Sequence, residues 1–255
     1  MKKKIYTLIS ILLWILIWFI GAIILDNELF CPKPSTVIFS FWELSKTKDF
    51  YMSILFSLRT TALGFLIGFG VGIILAVLSY VNTFFKAFTG IFMKVIKSIP
   101  VASFVILALM WISSTNLSIL ISALIVTPVI YTNVLTGLND TDVKMLELAK
   151  VFRLNPGKKI LYIYIPSIMS PLVSACRVSI GYAWKSGVAA EIIGLITGSI
   201  GNELYKAKLY LETPKLFAWT FTIIIVSFIC ERLIIFLLSL IQKAFGGITY
   251  VNKNK

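Results

Sequence analysis

Three charged side chains lie within one long apolar segment, Ser167 to Leu195. They are Arg177, Lys185 and Glu191. Ionisable groups at membrane depth are costly, so they normally face protein or water and mark the path of a solute. Two positive charges against one negative charge favour an anionic solute. The alternative is that these groups form ion pairs between helices or reach the membrane boundary. Lys185 and Glu191 are six residues apart, so they do not share a helical face for direct pairing.

The chain offers little for catalysis or metal binding. It contains no histidine, the commonest metal ligand and the commonest acid–base group at neutral pH. Its cysteines, Cys31, Cys176 and Cys230, are widely spaced, and every aspartate precedes Pro156, outside the apolar segments. A phosphate-binding G-x-x-x-x-G-K-[ST] loop is missing from the sequence. We therefore expect a protein that is not an enzyme and has no catalytic residue, metal or cofactor. Any ATP hydrolysis would take place on another chain.

Gly64, Gly68 and Gly72 recur every four residues in another apolar segment. This spacing places the three glycines on one helix face, where a neighbouring backbone can approach closely. Packing between helices of the same chain is the favoured interpretation. A seam between two copies of the chain is the alternative.

The elements that carry these residues are predicted to be membrane helices. Of the 255 residues, 58 % are hydrophobic and only 14 % are charged. A helix needs about 20 mostly apolar residues to cross the hydrocarbon core. Six segments meet this length, and the third is interrupted by Lys94, Lys97 and Pro100. The predicted spans are Ile5–Leu25, Ile54–Tyr80, Ile91–Ile112, Asn116–Leu138, Ser167–Leu195 and Phe217–Ile241.

The distribution of basic residues predicts the orientation of these spans. The chain has 24 Lys+Arg against 11 Asp+Glu, and the basic residues flank apolar runs rather than forming one face, which disfavours nucleic-acid binding. Fourteen basic residues lie at the amino terminus, the tail and the two loop regions predicted to share their side, and six lie on the opposite side. The positive-inside rule therefore places both termini in the cytoplasm. The first span could also be a cleaved signal peptide, but its apolar stretch exceeds the usual length of about 7 to 15 residues, which favours a retained helix.

Residues 139–166, between the fourth and fifth spans, contain a predicted helix-turn-helix. Asn139-Asp140-Thr141-Asp142 offers helix N-caps, and an amphipathic stretch over 143–153 follows. Asn155-Pro156-Gly157 is expected to end this helix, because proline disfavours helical geometry at the preceding residue and glycine permits a turn. Residues 158–165 can form a second short helix before Pro166 opens the fifth span. A partner protein could bind such a motif and displace the spans when it moves. The alternative is an ordinary loop at the membrane interface.

This segment resembles the EAA loop of ABC importer permeases. That motif reads Glu-Ala-Ala, three residues, Gly, nine residues and Ile-x-Leu-Pro. Here Glu147-Leu148-Ala149 is followed by Ile163-Tyr164-Ile165-Pro166, and the spacing of nineteen from Glu147 to Pro166 agrees. Leu148 replaces the first alanine, and Arg153 stands where the motif has glycine. We expect Pro156-Gly157 to supply the turn instead, three residues later, which would lengthen the first helix.

Ser57-Leu58-Arg59-Thr60, which leads into the glycine-rich second span, resembles the start of the permease core. Two other stretches are similar to the nitrate/sulfonate/taurine branch of binding-protein-dependent permeases. They are Ile99-Pro100-Val101 through Trp111 and Ala189-Ala190-Glu191-Ile192-Ile193-Gly194. The resemblance covers roughly Ser53 to Leu240. It implies an all-α membrane protein of about six transmembrane helices, like a type I ABC importer permease, in the bacterial cytoplasmic membrane.

The resemblance also implies partners and roles. A homodimer of the chain would dock its two loops on cytoplasmic ABC ATPase subunits, and an extracytoplasmic solute-binding protein would deliver the solute. The implied ATPase-coupling residues are Glu147, Ala149, Arg153, Gly157 and Pro166. Arg177, Lys185 and Glu191 would lie on the translocation path.

The predicted division is an N-terminal transmembrane helix and outer segment (1–52), a permease core (53–240) that contains the coupling loop 139–166, and a cytoplasmic tail (241–255). The outer segment is expected to hold a short interfacial helix around Val37–Leu44. Two other classes stay open, a secondary transporter or channel and the transmembrane component of a vitamin-type transporter. An intramembrane enzyme is disfavoured because the spans lack convergent catalytic groups.

Overall fold

The computed structural model describes the chain from residue 2 to residue 245, and every regular element in that range is helical. The helices are α1 (Lys2–Leu25), α2 (Pro34–Ser45), α3 (Lys48–Val81), α4 (Thr83–Ser98), α5 (Val101–Ala108), α6 (Ser114–Asn139), α7 (Val143–Val151), α8 (Pro156–Lys159), α9 (Ile165–Ile193), α10 (Ile200–Leu209) and α11 (Thr213–Phe245). A π-helical turn, Ile160–Tyr164, joins α8 to α9. The predicted all-α class is confirmed, and α2 covers the helix predicted around Val37–Leu44.

Five helices within the described residues are long and apolar enough to cross a membrane. They correspond to the first, second, fourth, fifth and sixth predicted spans. The third predicted span, Ile91–Ile112, differs from the prediction of one continuous helix. In its place α4 and α5 form a pair that is bent by 102° and passes the same test only when the two helices are taken together.

Pro100 explains the bend between α4 and α5. Its ring sterically disfavours helical geometry at the preceding residue, and Ile99 accordingly has an extended backbone with ψ of 128°. The α4 helix therefore ends at Ser98, and a new helix begins directly after Pro100. Hydropathy alone does not reveal this break, because both halves are apolar.

The fifth span begins earlier than predicted. The structure has no separate second short helix, because α8, the π-helical turn and α9 run as one helical segment from Pro156 to Ile193, 38 residues long. Pro166 therefore lies inside a helical run rather than opening it. The wider π-helical turn directly before Pro166 accommodates the ring and the missing N–H at this position.

The described residues form two compact units. The first comprises residues up to Leu58 together with Leu195–Val226, and the second comprises Arg59–Gly194 together with the chain from Ser227 onward. Two of the three unit boundaries fall inside α3 and α11, and the third lies directly after α9. Residues 246–255 of the predicted tail lie outside the described residues.

Aromatic packing organises the first unit. The Trp18 ring of α1 lies 5.8 Å from the ring of Phe217 and 5.9 Å from that of Phe221, both on α11. The Phe50 ring of α3 lies 5.0 Å from the Trp219 ring. These contacts attach α1 and the start of α3 to the first part of α11.

The second unit is built on α6 and α9, its most extensive helix pair. The glycine ladder of α3 packs against α6, and a Cβ atom at any of its three positions would collide with α6. At Gly64 it would lie 2.6 Å from the carbonyl oxygen of Ile119, and at Gly68 2.5 Å from that of Ala123. At Gly72 it would lie 2.8 Å from Ile130 Cβ. Glycine is therefore required here by close approach of two helices within the chain.

A hydroxyl triad fixes α4 within the same unit. Ser79 Oγ, Thr89 Oγ1 and Tyr131 OH lie 2.8 to 3.2 Å from one another, and all three side chains are buried. They belong to α3, α4 and α6. The triad gives each buried hydroxyl a partner and holds the start of α4 against the bundle.

Candidate functional site

The loop between α6 and α9 has well-defined helix caps. The Asp142 side chain accepts a hydrogen bond from Lys144 N at 2.9 Å, which confirms the predicted N-cap of α7. At the other end, Arg153 N donates to the carbonyl oxygen of Lys150 and Leu154 N donates to that of Ala149. This pair of bonds is the Schellman arrangement, which requires a left-handed residue just after the helix.

Arg153 itself takes the left-handed conformation, with φ of +50°. The prediction that the turn moves to Pro156-Gly157 and lengthens the first helix is therefore wrong. The turn stays where the motif places glycine, and α7 ends at Val151. The Asn155 side chain instead caps the following helix by accepting a hydrogen bond from Gly157 N at 2.6 Å, with Pro156 in its first turn. Both backbone hydrogen bonds of the turn are satisfied, which offsets the cost of a left-handed arginine.

An apolar patch covers the outer side of α7. Ala149 faces inward and is 4 % exposed. The four residues of the α7 patch are Val143, Leu148, Val151 and Phe152, with exposures of 65, 50, 76 and 74 %.

Glu147 is also exposed, one helical turn from both Val143 and Val151. Exposed Lys144 lies on the same side of α7, so the apolar residues of the patch stand among two opposite charges. The sequence-predicted residues Glu147 and Ala149 therefore lie on opposite sides of α7.

The helical segment beyond the turn is anchored where it meets the rest of the second unit. The Tyr164 ring in the π-helical turn lies 5.7 Å from the ring of Tyr80 at the end of α3, in an edge-to-face arrangement. Lys159 Nζ lies 5.9 Å from the centre of the Tyr164 ring. Arg153, Gly157 and Pro166 are all exposed along this segment.

The charged residues of α9 separate into two environments. Arg177 and Lys185 are exposed, and Ser170 and Ser174 are exposed on preceding turns. Since these positions are three or four residues apart, or multiples of that spacing, they form a polar stripe along one side of α9. A charged stripe of this kind in a membrane helix faces water or protein rather than lipid.

Glu191 does not join this stripe. Its side chain is 0 % exposed, and Thr60 Oγ1 donates a hydrogen bond to Glu191 Oε1 at 3.4 Å. The structure therefore brings Arg177 and Lys185 onto one exposed surface and places Glu191 inside the helix packing.

A cluster of buried hydroxyls, which the sequence prediction missed, lies one turn before Glu191. A Cβ atom at Gly187 would lie 2.8 Å from Ser122 Oγ, 3.0 Å from Thr61 Oγ1 and 3.1 Å from Ser118 Oγ. Ser122 Oγ donates to the carbonyl oxygen of Ala183 at 3.1 Å. Small residues and hydroxyls let membrane helices approach and bond to one another. The signal in the sequence was the set of Ser and Thr residues in two apolar segments, with Ser118 and Ser122 four residues apart.

No group of three or more His, Cys, Asp or Glu side chains that could hold a metal ion occurs in the part of the chain that the structure describes. Cys31, Cys176 and Cys230 are all free thiols there.

The sequence matches the family model described as binding-protein-dependent transport system inner membrane component, over residues 68–246. A protein of Bacillus subtilis (strain 168) named as an aliphatic sulfonates transport permease, SsuC, is 26 % identical over 219 residues, which cover 86 % of this chain and 78 % of that relative. The nitrate import permease protein NrtB of Synechococcus elongatus is 25 % identical over 207 residues, covering 76 % of this chain and 73 % of that protein.

Solved structures share the fold. A subunit of a bacterial ABC transporter involved in the import of the acidic polysaccharide alginate superposes with a TM-score of 0.60 at 18 % identity, covering 95 % of this chain and 96 % of that chain. A chain of an amino acid ABC transporter also gives a TM-score of 0.60, at 19 % identity, over 79 % of this chain and 96 % of that one.

Proposed function

Because the chain belongs to the family of binding-protein-dependent transport system inner membrane components, as an ABC importer permease, we propose that it couples ATP hydrolysis on a partner ATPase to the uptake of a small anion. The observation that carries this proposal is the continuity of the helix Pro156–Ile193. One end of this helix adjoins α7, and its interior carries Arg177. A force applied to α7 would reach the charged stripe through one helix.

The α7 patch is the proposed docking surface for the ATPase. It presents exposed Val151 and Phe152 around Glu147, in a loop that is otherwise rich in charge. Binding surfaces commonly combine a large apolar anchor with a charge that gains a partner on docking. We therefore expect Phe152 to fill an apolar cleft of the ATPase and Glu147 to meet a cation there.

The turn after α7 transmits the movement. Its two Schellman hydrogen bonds, at Arg153 and Leu154, fix the angle between α7 and the helix that follows. The edge-to-face contact between Tyr80 and Tyr164 ties the same helix to α3. Displacement of α7 would therefore tilt or rotate the helix as a body.

Arg177 and Lys185 are the proposed lining of the solute path. Both are exposed, and the one carboxylate of α9, Glu191, is fully buried behind them. A path with two cations per chain attracts anions by raising their local concentration. The relatives named for aliphatic sulfonates and for nitrate are consistent with an anionic solute here. Glu191 would support the path by fixing α9 against α3 through Thr60.

The proposed assembly contains two copies of this chain, two cytoplasmic ATPase subunits and an extracytoplasmic solute-binding protein. A solved alginate ABC transporter of similar fold was crystallised with a binding protein that carries its solute. The glycine ladder packs within the chain, so a seam between two copies would use other residues.

Purification of the tagged protein from membranes of its host tests this proposal. We expect an ATPase subunit and a solute-binding protein to copurify and to be identified by mass spectrometry.

Glu147→Lys should insert in the membrane normally but lose stimulation of the ATPase, because reversing a charge at a docking centre lowers affinity at least ~tenfold. Glu203→Lys makes the same reversal on α10 and is the matched control, which should keep full stimulation.

Two results would contradict the proposal. Normal ATPase stimulation by Glu147→Lys would reject α7 as the docking helix. Recovery of the permease alone, in detergent that preserves a known importer, would favour the secondary transporter.

A further inference from the structure

Gly181 is a glycine that neither its backbone nor its packing requires. It lies in the interior of α9 with an ordinary helical φ, and a Cβ atom there would meet nothing within 4 Å among the described residues. In the same helix, Gly187 is enclosed by three hydroxyl oxygens. A glycine inside a helix costs about 1 kcal/mol relative to alanine. Gly181 therefore leaves an open position on the outer surface of α9.

Two cations flank this open position. Arg177 is four residues before Gly181 and Lys185 is four residues after it, so the three lie on successive turns of one side of α9, each step rising about 6 Å. Both charged side chains are exposed, and neither forms an ion pair within the described residues. Gly181 thus exposes backbone between two positive charges, beside the half-exposed side chains of Val178 and Tyr182.

Contact with lipid does not explain the exposed charges on either side of Gly181. Arg177 lies ten residues, about 15 Å along the helix, from the start of the predicted span Ser167–Leu195, farther than an arginine side chain extends. Gly70 of α3 shows the contrasting case. It also has open space, but its neighbours one turn away, Leu66 and Ile74, are exposed apolar side chains of the kind that faces lipid.

Helix α4 repeats the spacing with Lys86, Gly90 and Lys94, and Gly90 is also open. This helix has only 16 residues, and both lysines lie close to its ends. Lys86 lies one turn from the start of α4 and can reach the membrane surface through its flexible side chain. The arrangement in α4 therefore has an explanation that is not available to Arg177.

We propose that Gly181 forms the seat for the acidic group of the transported solute, a small oxyanion held between Arg177 and Lys185. The absent side chain leaves room for the oxyanion against the helix and limits its size. This inference rests on the proposed import of an anion, and it adds the position at which the anion is held.

A cysteine at Gly181 tests the seat without knowledge of the solute. The Gly181→Cys change is made in a full-length protein whose Cys31, Cys176 and Cys230 are replaced by alanine, in membranes with its ATPase. Two water-soluble thiol reagents of similar size are compared, the anionic sulfonatoethyl and the cationic trimethylammonioethyl methanethiosulfonate. The ratio of their rates cancels any change in ionisation of the thiol, which affects both alike. If the cysteine-free protein does not fold, the same ratio is measured over the background of the native cysteines.

We expect the anionic reagent to react faster at Gly181→Cys. Arg177→Gln together with Lys185→Gln should lower the anion-to-cation ratio about tenfold, because the two cations concentrate anions near the thiol. Gly70→Cys is the control position and should react with neither reagent.

Three outcomes would overturn the seat. They are no reaction at Gly181→Cys, no dependence of the ratio on the two cations, and a disulfide between two copies at this position. A disulfide needs Cα atoms within about 7 Å, which leaves no room for a solute. ATPase stimulation, measured on the same membranes, reports separately on the proposed coupling, so failure of the seat and failure of the coupling are distinguishable.

Discussion

At the scale of single residues, four described helices are followed by a non-glycine residue in the left-handed region, and the turns after α7 and α10 share one hydrogen-bond pattern. Arg153 follows α7 with φ of +50°, and Leu211 follows α10 with φ of +57°. In both turns two backbone N–H groups bond to carbonyl oxygens of the last helical turn. A left-handed L-residue costs roughly 1–2 kcal/mol, which these hydrogen bonds offset. The fixed exit direction of the chain after α7 depends on this balance.

Substitution of Arg153 should change the stability of that turn in a defined order. Arg153→Gly removes the Cβ strain, whereas Arg153→Val places a β-branched residue where such residues are genuine outliers. We expect the turn to be about 1 kcal/mol more stable with glycine than with valine. Hydrogen exchange at Leu154 N, which donates to Ala149, measures this difference after correction for intrinsic rates. Equal protection in the two variants would show that the turn does not depend on residue 153.

At the scale of elements, the contact of α3 with α6 depends on the glycine ladder. Gly68 approaches so closely that a methyl group would lie 2.5 Å from a backbone oxygen of Ala123, which cannot rotate away. Gly70, two residues later, faces open space. Helix α3 therefore carries Gly68, which helix packing requires, and Gly70, which helix packing does not require.

Alanine at these two positions should have opposite effects. Gly68→Ala should lower stability by about 1–3 kcal/mol, because overpacking forces the two helices apart. Gly70→Ala should be neutral or stabilising by up to ~1 kcal/mol, since alanine favours the helix. Thermal denaturation of the purified protein in one detergent compares them directly. A melting temperature for Gly68→Ala equal to that of the unchanged protein would contradict the close approach.

The position of most helices was predictable from the sequence, but the geometry of the connections between helices was not. The spans follow from local hydropathy, and the Asp142 cap follows from a side chain that bonds two residues away. The bend at Pro100 and the continuous run through Pro166 are two opposite outcomes for a proline in an apolar segment. A π-helical turn precedes Pro166 and accommodates its ring, whereas Ile99 before Pro100 is extended and ends α4.

At the scale of the whole molecule, the bent pair α4–α5 decides the topology. If the pair crosses the membrane, four crossings separate α2 from α10, and both lie outside. If it enters and returns, only three crossings separate them, and they lie on opposite sides. The positive-inside prediction, with both termini in the cytoplasm, requires a crossing.

Labelling of single cysteines with an impermeant maleimide checks the crossing. In the cysteine-free background, Lys46→Cys on the outer segment and Lys206→Cys on α10 should both react in intact cells. Lys150→Cys on α7 should react only after the membrane is opened. Reaction of Lys46→Cys and Lys206→Cys from opposite sides would establish a re-entrant α4–α5 pair.

The sequence by itself determined the class of this protein, the approximate spans, the position of the proposed coupling segment and the list of charged residues within the predicted spans. These features depend on composition and on contacts between residues close in the chain. Only the tertiary structure decided which charges face outward. Arg177, Lys185 and Glu191 read alike in the sequence, yet the packing of α9 on α3 and α6 buries Glu191 beside Thr60 and leaves the two cations exposed. Burial depends on which neighbouring helix covers each side of α9, and that arrangement comes from residues distant in the chain.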